Sequence, residues 1–110
     1  MAVEMLSGET MNFLEYSKDN VGSIIDPSTY DDVIIYLYWQ INNELVASYS
    51  MSGNEGTQIN KDVNNKLPFT LLAAATEGKT GNLIIQVNII DNGTEVMKKK
   101  TVLARVQKAY

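Results

Sequence analysis

Three aspartates around one loop are the residues whose type and spacing come nearest to a metal site. Asp26, Asp31 and Asp32 could present carboxylates to Ca²⁺, which takes several oxygen ligands from one compact loop. Their spacing lacks the alternating acids and the terminal glutamate of an EF-hand. We therefore expect these carboxylates to cap turns and to begin a strand, and we predict no metal and no other cofactor.

Catalytic chemistry has few residues to use in this chain. Histidine and cysteine are both absent, which excludes the commonest general base, the thiolate nucleophile and the commonest zinc ligands. Glu9, Glu15 and Glu44 remain as candidates for hydrolysis by a carboxylate pair, but no pattern in the sequence brings two of them to one bond. We predict that the protein is not an enzyme and has no small-molecule substrate.

The basic residues are concentrated near the C-terminus. Residues 92–110 hold five of the nine basic residues and only one of the 13 acids, and these bases are Lys98, Lys99, Lys100, Arg105 and Lys108. Such a cluster is typical of an edge strand whose lysines discourage pairing with another sheet, or of a surface that docks on an acidic protein. Nucleic acid is disfavoured, because no aromatic residue occurs between Phe69 and Tyr110 and the net charge is −4.

The strongest strand pattern lies at residues 32–40. Successive residues there alternate between two faces of a strand. One face consists of Val33, Ile35, Leu37 and Trp39, and the other of Ile34, Tyr36, Tyr38 and Gln40. This alternation predicts a central strand with one face in the core, where we place Trp39. Tyr36 and Tyr38 on the opposite face either form a protein interface, in which tyrosine is common, or lie under a loop.

Further segments complete an all-β pattern. The runs 83–90 and 95–106 predict a hairpin through residues 91–94, because Asn92 and Gly93 tolerate the positive φ of a tight turn. Asn42 and Asn43 predict a second hairpin between 32–40 and 44–50, with Leu45 on the same face as Ala47 and Tyr49. Shorter strands are expected at 3–6, 10–16 and 58–63, and a turn at 17–20. Residues 71–76 predict a short helical turn, capped by Thr70 and ended by Gly78.

These elements predict one domain over residues 1–110. The fold that suits them best is an immunoglobulin-like antiparallel β-sandwich of about seven strands with one short helical turn. A small barrel is the alternative. The Lys98, Lys99 and Lys100 triplet interrupts the alternation of the last strand, which a bulge or an exposed edge would tolerate.

Three stretches together give the chain a family resemblance. They are the opening Ser7-Gly8-Glu9-Thr10, the strand at 31–38, and residues 71–81 leading into the hairpin at 82–95. This arrangement resembles the small immunoglobulin-like domains of tailed-phage virions, which occur as baseplate adaptor domains and as auxiliary capsid proteins. Those domains commonly have Asp where this chain has Glu9. The resemblance implies a non-enzymatic structural protein that binds a capsid or baseplate, and it assigns no contact residues.

The resemblance and the composition together predict an auxiliary capsid (decoration) protein, present in many copies and bound to other virion proteins. A phage baseplate or tail adaptor domain and a carbohydrate-binding or other ligand-binding β-sandwich are the alternatives. No apolar run is long enough to cross a membrane, and residues 1–9 lack the bases and apolar stretch of a signal peptide. We therefore expect synthesis in the host cytoplasm, no secretion, no membrane partner and a final place in the virion. The predicted protein-binding residues are Lys98, Lys99, Lys100, Arg105, Tyr36 and Tyr38.

Overall fold

A computed structural model describes residues 2–16, 18 and 21–109. It contains eight strands: β1 (Val3–Leu6), β2 (Met11–Tyr16), β3 (Asp32–Trp39), β4 (Leu45–Ser50), β5 (Thr57–Gln58), β6 (Lys66–Leu71), β7 (Gly81–Asp91) and β8 (Thr94–Gln107). A 3-10 turn (Pro27–Thr29) and the short helix α1 (Ala73–Thr76) complete the described elements. Neither is long and apolar enough to span a membrane, within the part of the chain described. The turn expected at 17–20 lies mostly outside the described residues.

The strands form two sheets that pack as a sandwich. The larger sheet has the order β1-β8-β7-β3-β4-β5, and the smaller consists of β2 and β6. The strands β8, β7 and β3 are neighbours in one sheet and lie opposite the pair of β2 and β6. This is the arrangement of immunoglobulin-type sandwiches. The predicted all-β fold class is thus confirmed. Pairing is antiparallel in the centre, whereas β1 joins β8 and β5 joins β4 in parallel.

The core lies between the two sheets, as the alternation in β3 predicts. Val33, Ile35, Leu37 and Trp39 are all buried, and they face the smaller sheet together with Ile85 and Ile89 of β7. Aromatic rings join the layers: Phe69 of β6 lies 5.5 Å from Phe13 of β2 and 4.9 Å from Tyr49 of β4, between ring centroids. Apolar area removed from water here is the main stabilising contribution to the fold.

The hairpin of β7 and β8 also confirms its prediction. Asn92 and Gly93 have φ of 53° and 73°, the left-handed values that a two-residue hairpin turn requires. The ladder shifts register between Ile89 and Ile90 and between Leu83 and Ile84. These bulges fall at Val96 and Leu103 of β8, so the lysine triplet lies in a regular stretch between them and not at a bulge. Leu103, at the second bulge, is 9% exposed and belongs to the core.

The helical turn predicted at 71–76 is wrong in its first two residues. Residues 66–71 form β6, and Thr70 does not cap a helix, because its hydroxyl donates to Asn12 Oδ1 of β2 at 2.7 Å. Pairing with β2 buries Leu67, Phe69 and Leu71 at alternate positions. This burial keeps the chain in a strand up to Leu71, although the residues that follow favour a helix. The helix begins only at Ala73. Gly78 follows it with φ of 74°, as predicted.

Two strand predictions need smaller corrections. The strand expected at 58–63 comprises only Thr57–Gln58, because the Asp62 carboxylate accepts the N–H groups of Asn64 and Lys66 and turns the chain. Leu45 does not share the buried face of Tyr49 but is 55% exposed. A register shift pairs Leu45 with Tyr38 and so moves it to the other face.

Candidate functional site

The candidate site is the face of the six-stranded sheet that points away from β2 and β6, which we call the outer face. Strand register aligns Tyr36 of β3 with Gln86 of β7 and with Lys100 of β8. Residues directly opposite on neighbouring strands point to the same side of a sheet. The sequence-predicted residues from β3 and β8 therefore meet across β7, although they are more than 60 positions apart in the chain.

Direct contacts organise this row of side chains. Lys100 Nζ lies 5.8 Å from the centroid of the Tyr38 ring, within the range of a cation–π contact. Gln86 Nε2 donates to Asn88 Oδ1 at 3.0 Å between them. A shallow depression of about 460 Å³ lies over these side chains, and Asn43 and Leu45 complete its lining. The outer face thus offers aromatic rings, amides and an ammonium group side by side.

Tyr36 retains its proton at neutral pH. Burial raises the pKa of its hydroxyl above 10, and the carboxylates of Glu55, Glu95 and Asp32 raise it further. Half-buried Tyr36 and Tyr38 are held in place by the sheet, so a partner that binds them immobilises few rotamers. Both hydroxyl groups are suited to polar contacts at the rim of an interface.

The basic residues do not act as one patch. Lys98 and Lys100 are exposed on the outer face, whereas Lys99 pairs in register with Val87 and faces the inner side of the sheet. Arg105 is also on β8, but five residues beyond Lys100, roughly 16 Å along the strand. Its guanidinium lies 3.7 Å from the carboxylate of Glu4. The positive charge beside the tyrosines therefore comes from Lys98 and Lys100.

A loop covers one end of the outer face. The Ser50 hydroxyl, fully buried, accepts the N–H groups of Gly53 and Glu55, and the Asp32 carboxylate accepts both the N–H and the hydroxyl of Ser52. Gly56 passes so close to Ser48 that a Cβ built on it would lie 2.1 Å from the Ser48 carbonyl oxygen. This loop covers β4 next to Ile34 and stops short of the depression over Tyr36 and Tyr38.

The aspartates take structural roles, of which the capping of a turn by Asp26 and the start of β3 at Asp32 were expected. Asp26 caps the 3-10 turn by accepting from Ser28 and forms an ion pair with Lys61 at 2.9 Å. Asp31 accepts the N–H of Asn92 at 2.7 Å. Among the described residues, no three acidic side chains are grouped in a way that could hold a metal ion.

The three glutamates considered for hydrolysis make separate contacts. Glu9 accepts the N–H of Leu6, and Glu44 pairs with Lys79 at 3.2 Å. Glu15 lines a cleft between β2 and β8, where burial raises the pKa of its carboxyl. Their different surroundings offer no carboxylate pair around one bond.

Sequence reasoning missed the polar and apolar residues that complete the outer face: Asn43, Leu45, Gln86 and Asn88. The alternation in β7 places Gln86 and Asn88 on one side, but only the register with β3 shows that they lie between the tyrosines and the lysines. Comparison with protein-family models, with curated proteins and with solved structures finds no match for this chain. Functional reasoning therefore depends on the fold and on this face.

Proposed function

We propose that this protein is a non-enzymatic structural protein of a tailed-phage virion, and specifically an auxiliary capsid (decoration) protein. In this proposal the outer face docks on an acidic area of the capsid surface. The protein is made in the host cytoplasm and becomes part of the virion by this docking.

The observation that carries the docking role is the row formed by Tyr36, Tyr38 and Lys100. It combines preordered aromatic rings with the exposed side chain of Lys100, on a face that neither β2 nor β6 covers. Tyrosine is enriched in protein interfaces, and exposed charge selects an oppositely charged partner. The virion assignment is supported by the resemblance described above and by the immunoglobulin-like strand order.

A repeating lattice makes a modest interface sufficient. A shallow depression of this kind provides limited contact area to each copy. A capsid lattice presents the same surface many times, so many weakly bound copies can still give high occupancy. A baseplate or tail adaptor domain would use the same face at fewer positions.

A carbohydrate-binding role is the second candidate, and one observation favours it. The depression brings the rings of Tyr36 and Tyr38 next to the amides of Asn43, Gln86 and Asn88. Aromatic rings and planar amides are suitable groups for binding a polar ring with apolar faces.

Co-sedimentation with purified capsids from a panel of tailed phages tests the proposal. We expect the wild-type protein to sediment with capsids of an acidic surface, and the double variant Lys98→Glu, Lys100→Glu to remain in the supernatant. The matched control is Lys79→Glu, which makes the same change at an exposed lysine paired with Glu44; it should still sediment. Retained binding by the double variant would exclude the lysines from the interface. Binding to glycans in place of capsids, lost on Tyr38→Ala, would favour the carbohydrate role.

A further inference from the structure

The sequence contains a single Asn-Gly pair, and this pair forms the turn of the hairpin between β7 and β8. Asn92 and Gly93 are both exposed there. A Cβ built on Gly93 would meet no atom within 4 Å, so the space around this residue is open. The last pair of the ladder joins Asp91 to Thr94, which leaves the peptide group between Asn92 and Gly93 outside the ladder.

An asparagine followed by glycine can react with the main chain. The backbone nitrogen of Gly93 loses its proton to solvent and attacks the side-chain carbonyl carbon of Asn92. A bond forms between these two atoms, the bond from that carbon to the side-chain nitrogen breaks, and the nitrogen takes up a proton and leaves as ammonia. Water then opens the resulting five-membered imide at either carbonyl group, which gives isoaspartate or aspartate. Glycine permits the attack best, because it has no Cβ beside the nitrogen.

The observed turn is one peptide rotation away from the shape of the imide. Asn92 has φ of 53° and Gly93 has φ of 73°, as in a type I′ turn. Rotation of the peptide group between them gives type II′, the other two-residue hairpin turn, in which the first residue keeps φ of about +60° and has ψ of about −120°. The imide ring holds the Gly93 nitrogen eclipsed with the Asn92 Cβ, which in an L residue corresponds to this same ψ. The hairpin can therefore contain the imide while β7 and β8 stay paired.

Asp31 places a negative charge beside the reacting peptide group. Its Oδ2 atom accepts the N–H of Asn92 at 2.7 Å. A nearby negative charge disfavours loss of the proton from the Gly93 nitrogen, and it also disfavours the carboxylate that the reaction produces. Asp31 and Asn92 are 61 positions apart in the chain, so only the folded protein brings this charge to the turn.

We propose that Asn92 is a site of spontaneous modification in the folded protein, where reaction with Gly93 converts it to isoaspartate or aspartate and Asp31 slows the conversion. Either product adds a negative charge next to Asp31. Isoaspartate also adds a methylene group to the main chain, and this changes the length of the connection that sets the register of the hairpin. The modified protein is therefore less stable than the original one.

Mass spectrometry of the full chain during incubation at pH 8 tests this proposal. We expect each chain to gain one dalton, and proteolysis should place the gain in the peptide that contains Asn92, with isoaspartate among the products. Gly93→Ala should react at least tenfold more slowly, because the new Cβ obstructs the nitrogen. The matched control is Gly78→Ala, which changes another exposed glycine with positive φ and no atom within 4 Å of the new Cβ. It should react at the wild-type rate.

Asp31→Asn separates the reaction of the folded chain from that of an unfolded chain. This variant keeps a side-chain oxygen that can accept the Asn92 N–H but removes the charge, so Asn92 should react several times faster than in wild type. In concentrated urea the two chains should react at Asn92 equally fast, because Asp31 is then remote from the turn. Nuclear magnetic resonance spectra with the wild-type pattern of amide signals show that each variant is folded before incubation.

Three results would overturn the proposal: a folded chain that stays unmodified while the chain in urea reacts, a reaction no faster at Asn92 than at the other asparagines, or equal rates in wild type and Gly93→Ala. Equal rates in folded wild type and Asp31→Asn would refute the role given to Asp31. No capsid takes part in these measurements. Failure of the proposed function would therefore leave this inference intact, and failure of this inference would leave the proposed function intact.

Discussion

Tyr49→Phe is expected to lower the stability of the protein at neutral pH and to remove part of its sensitivity to alkali. The Tyr49 ring is 5% exposed and packs on Phe69, and its hydroxyl donates to the carbonyl oxygen of Thr70 at 2.8 Å. This hydrogen bond joins β4 in one sheet to β6 in the other. The substitution removes the bond and keeps the ring, so it tests this contact between the layers.

Two magnitudes follow from this geometry. A hydrogen bond of this kind contributes about 1 kcal/mol to the free energy of unfolding. Burial also raises the pKa of Tyr49 from 10.0 to about 12. Between these two values the unfolded chain loses the hydroxyl proton and the folded chain keeps it, so stability falls as pH rises. The contribution is complete below pH 10, and about 1 kcal/mol of it is lost by pH 11.

Urea denaturation followed by far-ultraviolet circular dichroism, repeated from pH 8 to pH 11, measures both effects. Tyr49→Phe should be less stable than wild type by about 1 kcal/mol at pH 8, and the two curves should converge near pH 11. Tyr38→Phe makes the same change on the outer face and retains Tyr49, so it should keep the wild-type slope. A constant gap between Tyr49→Phe and wild type over this range, or no gap at pH 8, would refute the reasoning.

Three further predictions concern the loops and the core. Gly56→Ala should cost about 2 kcal/mol or more, because φ is +66° and the new Cβ would overlap the backbone of Ser48; urea denaturation checks this. Leu71→Ala should cost about 2 to 5 kcal/mol by the same measurement, since this fully buried side chain leaves a cavity between the sheets. Asp26→Asn should make the free energy of unfolding fall less steeply as the pH is lowered into the acid range. Hydrogen bonds from Ser28, then the neighbouring Lys61, lower the pKa of Asp26 from 3.8 to about 2, so its contribution is present above pH 4 and lost toward pH 2.

Each of these changes has a matched control. Gly93→Ala also places a side chain at positive φ but meets no atom within 4 Å, so it should cost only about 1 kcal/mol. Leu14→Ala removes the same atoms from a side chain that is 48% exposed, and about 0.5 kcal/mol or less is expected. Ser28→Ala retains the Asp26 carboxylate but removes one of its hydrogen bonds, so it should show part of the same weaker dependence of stability on acid pH. The explanation would be contradicted if the two glycine variants, or the two leucine variants, lost equal stability. An unchanged dependence of stability on acid pH in Asp26→Asn would also contradict it.

The candidate site could be predicted only in its components. Tyr36 and Tyr38 follow from the alternation of β3, and Lys98 and Lys100 stand out by their charge. That Lys100 lies over Tyr38 depends on the pairing of β3 with β7 and of β7 with β8, and no local pattern encodes that alignment. Alternation separates Lys99 from Lys98 and Lys100, but only the pairing of Lys99 with Val87 shows that its face is the inner one.

The sequence alone was enough to determine the all-β class, the buried stripe of β3 and the hairpin turn at Asn92 and Gly93. Each of these depends on neighbouring residues: side chains alternate along a strand, and particular residue types tolerate positive φ. The tertiary structure decided that residues 66–71 form β6 and where the bulges fall. Phe69 is in a strand because it pairs with Phe13, from which 56 positions separate it. Long-range pairing of this kind depends on which remote surfaces can be buried together, and it can outweigh local propensity.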